Sequence, residues 1–137
     1  MDIDIAAHQK LSQGIMSGRY QIVLIPAQPF LPQSHAVDLL LETQNLYCGQ
    51  GHPLFTIPNA ELTPELLAEQ SFAGRSYMTK TTICGVDFSW GTVTTHMEGA
   101  LSLLLSGAYV GLLPDHYAGR TRPRPKALCP SARPDEF

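Results

Sequence analysis

Residues 95–120 read THMEGALSLLLSGAYVGLLPDHYAGR, and this stretch decides the fold. Thr95 and Glu98 have the Thr-x-x-Glu spacing of a capping box, which predicts a helix start. Met97, Leu101, Leu104, Leu105 and Ala108 recur at helical spacing and supply one apolar face. Gly107 is placed to end the helix. Tyr109 to Leu113 (YVGLL) then predicts a buried strand, stopped by Pro114. A helix that runs straight into an apolar strand is the building unit of an α/β sheet.

The same alternation extends in both directions. Ile3 and Ile5 alternate with Asp2 and Asp4, which predicts a short strand. Residues 8–17 carry Leu11, Ile15 and Met16 at helical spacing, with Gly18 as a stop. Tyr20 to Ile25 (YQIVLI) predicts a buried strand closed by Pro26, completing a compact parallel βαβ unit. Val37 to Cys48 is expected to be extended, up to the turn at Gly49, Gly51 and Pro53. Thr63 caps a helix that has Pro64 at its first position and Glu65 in its first turn; Leu66 and Leu67 supply its buried face. Ser71 to Met78 and Val86 to Thr95 predict two further strands.

Length and composition set the bounds. With 137 residues, 44% apolar and 15% charged, the chain has room for one globular domain with a core of its own. A net charge of −3 argues against a free-standing nucleic-acid binder, which usually carries a basic face. No apolar run is long enough for a membrane span, and the N-terminus shows no secretion signal. Three cysteines (Cys48, Cys84, Cys129) in a chain of this size fit reduced thiols in a cytoplasm. The charge is uneven. Residues 1–118 hold four Lys/Arg against ten Asp/Glu, whereas 119–137 hold five against two, with Pro123, Pro125, Pro130 and Pro134. This Pro/Arg-rich tail has no apolar period and is expected to be disordered rather than a nucleic-acid arm.

A search for chemistry returns little. There is no nucleophile elbow, phosphate loop, dinucleotide fingerprint or zincin motif. Cys48 and His52 have a Cys-x-x-x-His spacing, but Cys84, His96 and His116 supply no second pair, so no metal site is expected. Asp115-His116 is expected to be a polar loop rather than part of a triad. A hydrolase using Cys48 or Ser76 would need a base that the sequence does not place, so no catalytic residue is assigned. Arg75 and Ser76 follow a predicted strand, where α/β proteins often bind ligands; a plain surface arginine is the alternative.

Three segments carry a resemblance. LETQNLYCGQGHPLF (41–55), LSQGIMSGRYQIVLIP (11–26) and MEGALSLLLSGAYVGLLPDHYAGR (97–120) resemble stretches of the effector-binding domain of LysR-type transcriptional regulators. The resemblance covers about residues 1–118. It implies an α/β fold of Rossmann-like lobes, of the periplasmic-binding-protein-like type II kind, with the first lobe incomplete. Residues 1–48 would be a partial first lobe, 49–118 the second, and 119–137 the tail. The family's winged helix-turn-helix, the first strand and helix of its first lobe and its last crossover strands have no counterpart here, so a truncated or frameshifted reading frame is expected, with no DNA binding by this chain itself.

The resemblance also implies a function and a site. The chain is expected to sense a small-molecule effector, an organic anion, between two lobes, without a cofactor and without membrane contact. The alternative is a stand-alone small-molecule-binding or dimerising protein. Thr94, Thr95 and His96 lie at the head of the best-marked helix, whose unpaired N–H groups suit a carboxylate. Gly74 and Arg75 would lie beside them, and Ala7, His8, Gln9, Pro26 and Ala27 would face them from the first lobe. A homo-oligomer, or a mixed dimer with a full-length relative, is expected through the outer faces carrying Gln9, Gln13, Ser102 and Ser106. Ile3, Ile5, Ile22 and Leu24 are expected to remain uncovered and to favour association.

Overall fold

A computed structural model describes residues 2–25, 34–78 and 82–128. The chain divides into two compact units, Met1–Leu40 and Leu41–Phe137, so the boundary falls before the expected position at residue 48. The strand Gln44–Cys48 explains the shift: it hydrogen-bonds into the sheet of the second unit.

The described residues of the first unit hold one helix, α1 (His8–Met16), ended by Gly18 at φ +75° as its sequence requires. Tyr20 returns over it: its N–H donates to Gly14 O at 3.0 Å, and its hydroxyl donates to the Asp4 carboxylate. The two expected strands around α1 do not form. Residues 2–7 and 22–25 have no regular structure, and Ile3, Ile5, Ile22 and Leu24 are each at least 70% exposed. Alternation and β-branching supply a face for a strand, but a strand also needs a neighbour to satisfy its backbone groups.

The second unit is built on a five-stranded sheet. Its strands are β1 (Gln44–Cys48), β2 (Ser71–Arg75), β5 (Ser89–Thr94), β6 (Val110–Pro114) and β7 (Lys126–Ala127), in the order β5-β2-β6-β1-β7. β2 runs parallel to both β5 and β6, while β1 runs antiparallel to β6 and β7. A small hairpin, β3 (Thr82–Ile83) with β4 (Val86–Asp87), turns through Cys84 and Gly85, both at positive φ. The expected single strand over Val86 to Thr95 is thus split at Phe88, whose side chain packs in the core.

Helices cover both faces. α2 (Pro64–Ala68) starts as its sequence predicts: Thr63 Oγ1 accepts from the Leu66 N–H at 3.3 Å, and Pro64 is the first helical residue. It adds to a core around Leu46, Leu54, Phe72, Ile83, Val110 and Leu112. On the opposite face α3 (Met97–Leu105) and α4 (Asp115–Arg120) close over Tyr47, Ala73 and Leu113. All five residues of β6 are buried, as a strand covered on both faces should be.

Three local expectations are corrected. The cap of α3 is His96, not Thr95, so Thr95 and Glu98 form no capping box. The buried residues of α3 are Ala100 and Leu104, while Ala108 lies beyond the helix and is exposed. Asp115-His116 begins a helix, α4, instead of a loop.

The basic tail is also ordered as far as residue 128. Its strand β7 pairs with β1, Leu128 is 3% exposed, and the Leu128 N–H donates to Leu46 O at 2.7 Å. The expected disorder of 119–137 therefore fails for 119–128; residues 129–137 lie outside the described residues. Lys126 shows why. Its ammonium donates to Leu54 O at 2.9 Å and to Ile57 O, so a lysine of the basic tail clamps that tail to the core.

Candidate functional site

β2 and β5 run side by side and end together, with Arg75 opposite Thr94. The C-terminal ends of parallel strands are where open α/β sheets place ligands, because helix N-termini gather there. Here only two residues, Thr95 and His96, separate the end of β5 from the start of α3. The Ser76 N–H donates to Thr94 O at 3.0 Å and fixes the two strand ends to each other. Gly74 is buried because the Trp90 ring lies over it: a Cβ there would sit 2.6 Å from the indole.

Arg75 is the unusual residue. It is 9% exposed, and its Nε is buried with no hydrogen-bond partner among the described residues. Among the described residues it forms no ion pair. Its Nη1 donates to Met97 Sδ at 3.2 Å, and its guanidinium lies 5.3 Å from the centroid of the Tyr77 ring. A thioether is a weak acceptor, and a ring quadrupole compensates a cation only in part. Met97 is also the first residue of α3, a nine-residue helix whose N-terminus no side chain caps. A buried cation and the positive end of a helix dipole thus meet at one place with no ion-paired carboxylate among the described residues.

The structure brings together Gly74, Arg75, Thr94 and His96. Thr94 is not a free hydroxyl. It donates to His96 O at 3.2 Å and accepts from the His96 N–H at 3.4 Å, which shapes the turn into α3. Thr95 and the His96 side chain are exposed in that turn. Ala7, His8 and Gln9 lie in the first unit, where Ala7 is the N-cap of α1 and His8 its first residue. Pro26 and Ala27 lie outside the described residues. Met97 and Tyr77 build the surroundings of Arg75, yet the sequence did not single them out as site residues. Tyr77 lies two positions on and was open to inspection. Met97 is 22 positions away and meets Arg75 only through the fold.

The cysteines lend no support to chemistry. Cys48 is free and fully buried, and burial pushes its thiol up to about 11, away from a reactive thiolate. His52 is spent on structure: its Nδ1 accepts from the Leu54 N–H at 3.2 Å. Asp115 accepts from Asn45 Nδ2 at 2.6 Å and from the Tyr47 hydroxyl at 2.9 Å, which fixes it on the sheet. Among the described residues no group of three or more His, Cys, Asp or Glu side chains gathers as a metal site would require. No helix among them is long and apolar enough to cross a membrane.

Comparison with known proteins agrees with the sheet and its helices. The model of the LysR substrate binding domain matches residues 1–132, past the point where the resemblance was expected to stop and into the basic tail. The HTH-type transcriptional activator BauR of Pseudomonas aeruginosa is 22% identical over 120 residues, which cover 86% of this chain. The chain spans about 39% of the length of that relative. The mixed α/β sheet fits the periplasmic-binding-protein-like type II fold of such domains, and the family is one of transcriptional regulation rather than catalysis. The chain belongs to the LysR substrate-binding domain family.

Proposed function

We propose that this chain is the effector-sensing part of a cytoplasmic transcriptional regulator, and that it holds a small organic anion at the ends of β2 and β5. The observation that carries the reading is Arg75: a buried guanidinium with an unpartnered Nε, set against the open N-terminus of α3. A carboxylate would accept two parallel hydrogen bonds from such a group and neutralise its charge. The head of α3 would add backbone N–H donors. The Tyr77 ring holds the guanidinium from one side and limits its rotamers. Copies of the chain associate, or pair with a longer relative, through the polar outer faces of α1 and α3, where Gln9, Gln13, Ser102 and Ser106 are exposed. Contact with DNA is assigned to none of these residues.

Calorimetric titration with acetate, succinate and benzoate tests the site. Arg75→Ala is expected to weaken carboxylate binding by about tenfold or more, since a charge-assisted hydrogen bond contributes about 1.5–3 kcal/mol. Thr94→Val is expected to weaken it less, by loosening the turn into α3. An affinity unchanged by both substitutions places the anion elsewhere.

A further inference from the structure

Arg75 meets sulfur twice. Its backbone N–H donates to Met78 Sδ at 3.4 Å, and its Nη1 donates to Met97 Sδ at 3.2 Å. The two thioethers differ in access: Met78 is 8% exposed, whereas Met97 is only partly buried at the head of α3. Hydrogen peroxide oxidises an accessible thioether to a sulfoxide. A sulfur lone pair attacks one peroxide oxygen, the O–O bond breaks, and an S–O bond forms. The other oxygen leaves as water with both protons. Sulfur is oxidised by two electrons and the peroxide is reduced. The product carries a strongly polar oxygen on the atom that already faces the guanidinium.

We propose that Met97 is an oxidation-sensitive modification site: its sulfoxide captures Arg75 and weakens the binding of anions beside it. The proposal rests on the reading of Arg75 as the anion anchor. The local chemistry supports the direction. Reduced Met97 is a weak acceptor that an incoming carboxylate displaces readily. The sulfoxide oxygen is a far better acceptor, tethered to the same helix, and competes at high effective concentration. The device therefore links occupancy of the site to peroxide without a cysteine.

The test uses the full chain carrying Met16→Leu, because Met16 is 53% exposed on α1 and would oxidise as well. Protein treated with hydrogen peroxide is mapped by mass spectrometry for a gain of one oxygen at Met97, then titrated with acetate, succinate and benzoate. Circular dichroism confirms that it remains folded. The expected result is a Kd raised about tenfold, restored by methionine sulfoxide reductases, and a Kd that peroxide does not move when Met97→Leu is added. Nitrogen NMR of the Arg75 guanidinium supplies a readout independent of any anion: its resonances should shift on oxidation only when Met97 is present. Anion binding that depends on Arg75 but ignores Met97 oxidation overturns the switch alone. Guanidinium shifts without Arg75-dependent binding of any probe overturn the anchor and, with it, the effect on affinity. Failure of Met97 to oxidise in the folded chain overturns the proposal.

Discussion

Gly107→Ala should be among the most damaging single-methyl additions in the second unit, and its cost can be separated into two causes. Gly107 follows the Ser106 C-cap of α3 at φ +77°, and its N–H donates to Leu104 O at 3.0 Å. A Cβ there would sit 2.6 Å from the Gly51 carbonyl carbon and 2.9 Å from the Gly51 Cα and O. These are backbone atoms and cannot swing aside. Gly85, in the β3–β4 turn, has nearly the same φ, +74°, but no atom within 4 Å of its Cβ position. The left-handed conformation costs an alanine about 1–2 kcal/mol in either place. Overpacking adds about 1–3 kcal/mol at Gly107 alone. Gly85→Ala should therefore lose about 1–2 kcal/mol and Gly107→Ala about 2–5 kcal/mol. Urea unfolding followed by the fluorescence of Trp90, the single tryptophan, reads the second unit directly. With a urea slope of about 1–3 kcal/mol/M, the Gly107 midpoint should fall further than that of Gly85, by the overpacking cost divided by the slope, with the slope unchanged. Equal losses at the two sites would refute the claimed contact with Gly51.

Two further outcomes follow from the same unit. His52 is 5% exposed, and burial holds its imidazole below the usual 6.5. The unfolded chain therefore takes up a proton before the folded one, so stability is fully present above about pH 6.5 and falls as the pH drops toward the folded value. His52→Asn keeps an acceptor for the Leu54 N–H and should flatten that dependence in urea midpoints measured between about pH 7.5 and 5.5; an unaltered slope would remove His52 from the account. Lys126→Met leaves Leu54 O and Ile57 O without their donor and should cost about 1–3 kcal/mol. Hydrogen exchange at the Leu128 amide should quicken as β7 lifts from β1, and unchanged protection would show that Lys126 does not clamp the tail.

The elements legible in the sequence were those with local causes. Thr63-Pro64 started α2 because a side-chain oxygen and a fixed proline φ act within one turn. Gly18 and Gly107 stopped their helices because only positive φ closes them cheaply. The apolar run that became β6 was readable because a strand buried on both faces leaves no polar alternation. Even there the N-cap of α3 moved by one residue, from Thr95 to His96, because the Thr94 hydroxyl took the turn. The elements around the candidate site were legible in outline, since Arg75 closes one strand, Thr94 closes another, and residues 95 and 96 lead into a helix. What the tertiary structure decided was pairing. The same β-forming pattern that marks Tyr20 to Ile25 stays irregular without a neighbouring strand, whereas Lys126 and Ala127, in a proline-rich basic stretch, become a strand because β1 offers an edge and Leu54 and Ile57 offer carbonyls. The burial of Arg75 against Met97 belongs to the same class. A side chain's partner depends on contacts between residues far apart in sequence, and these contacts exist only once the sheet has closed.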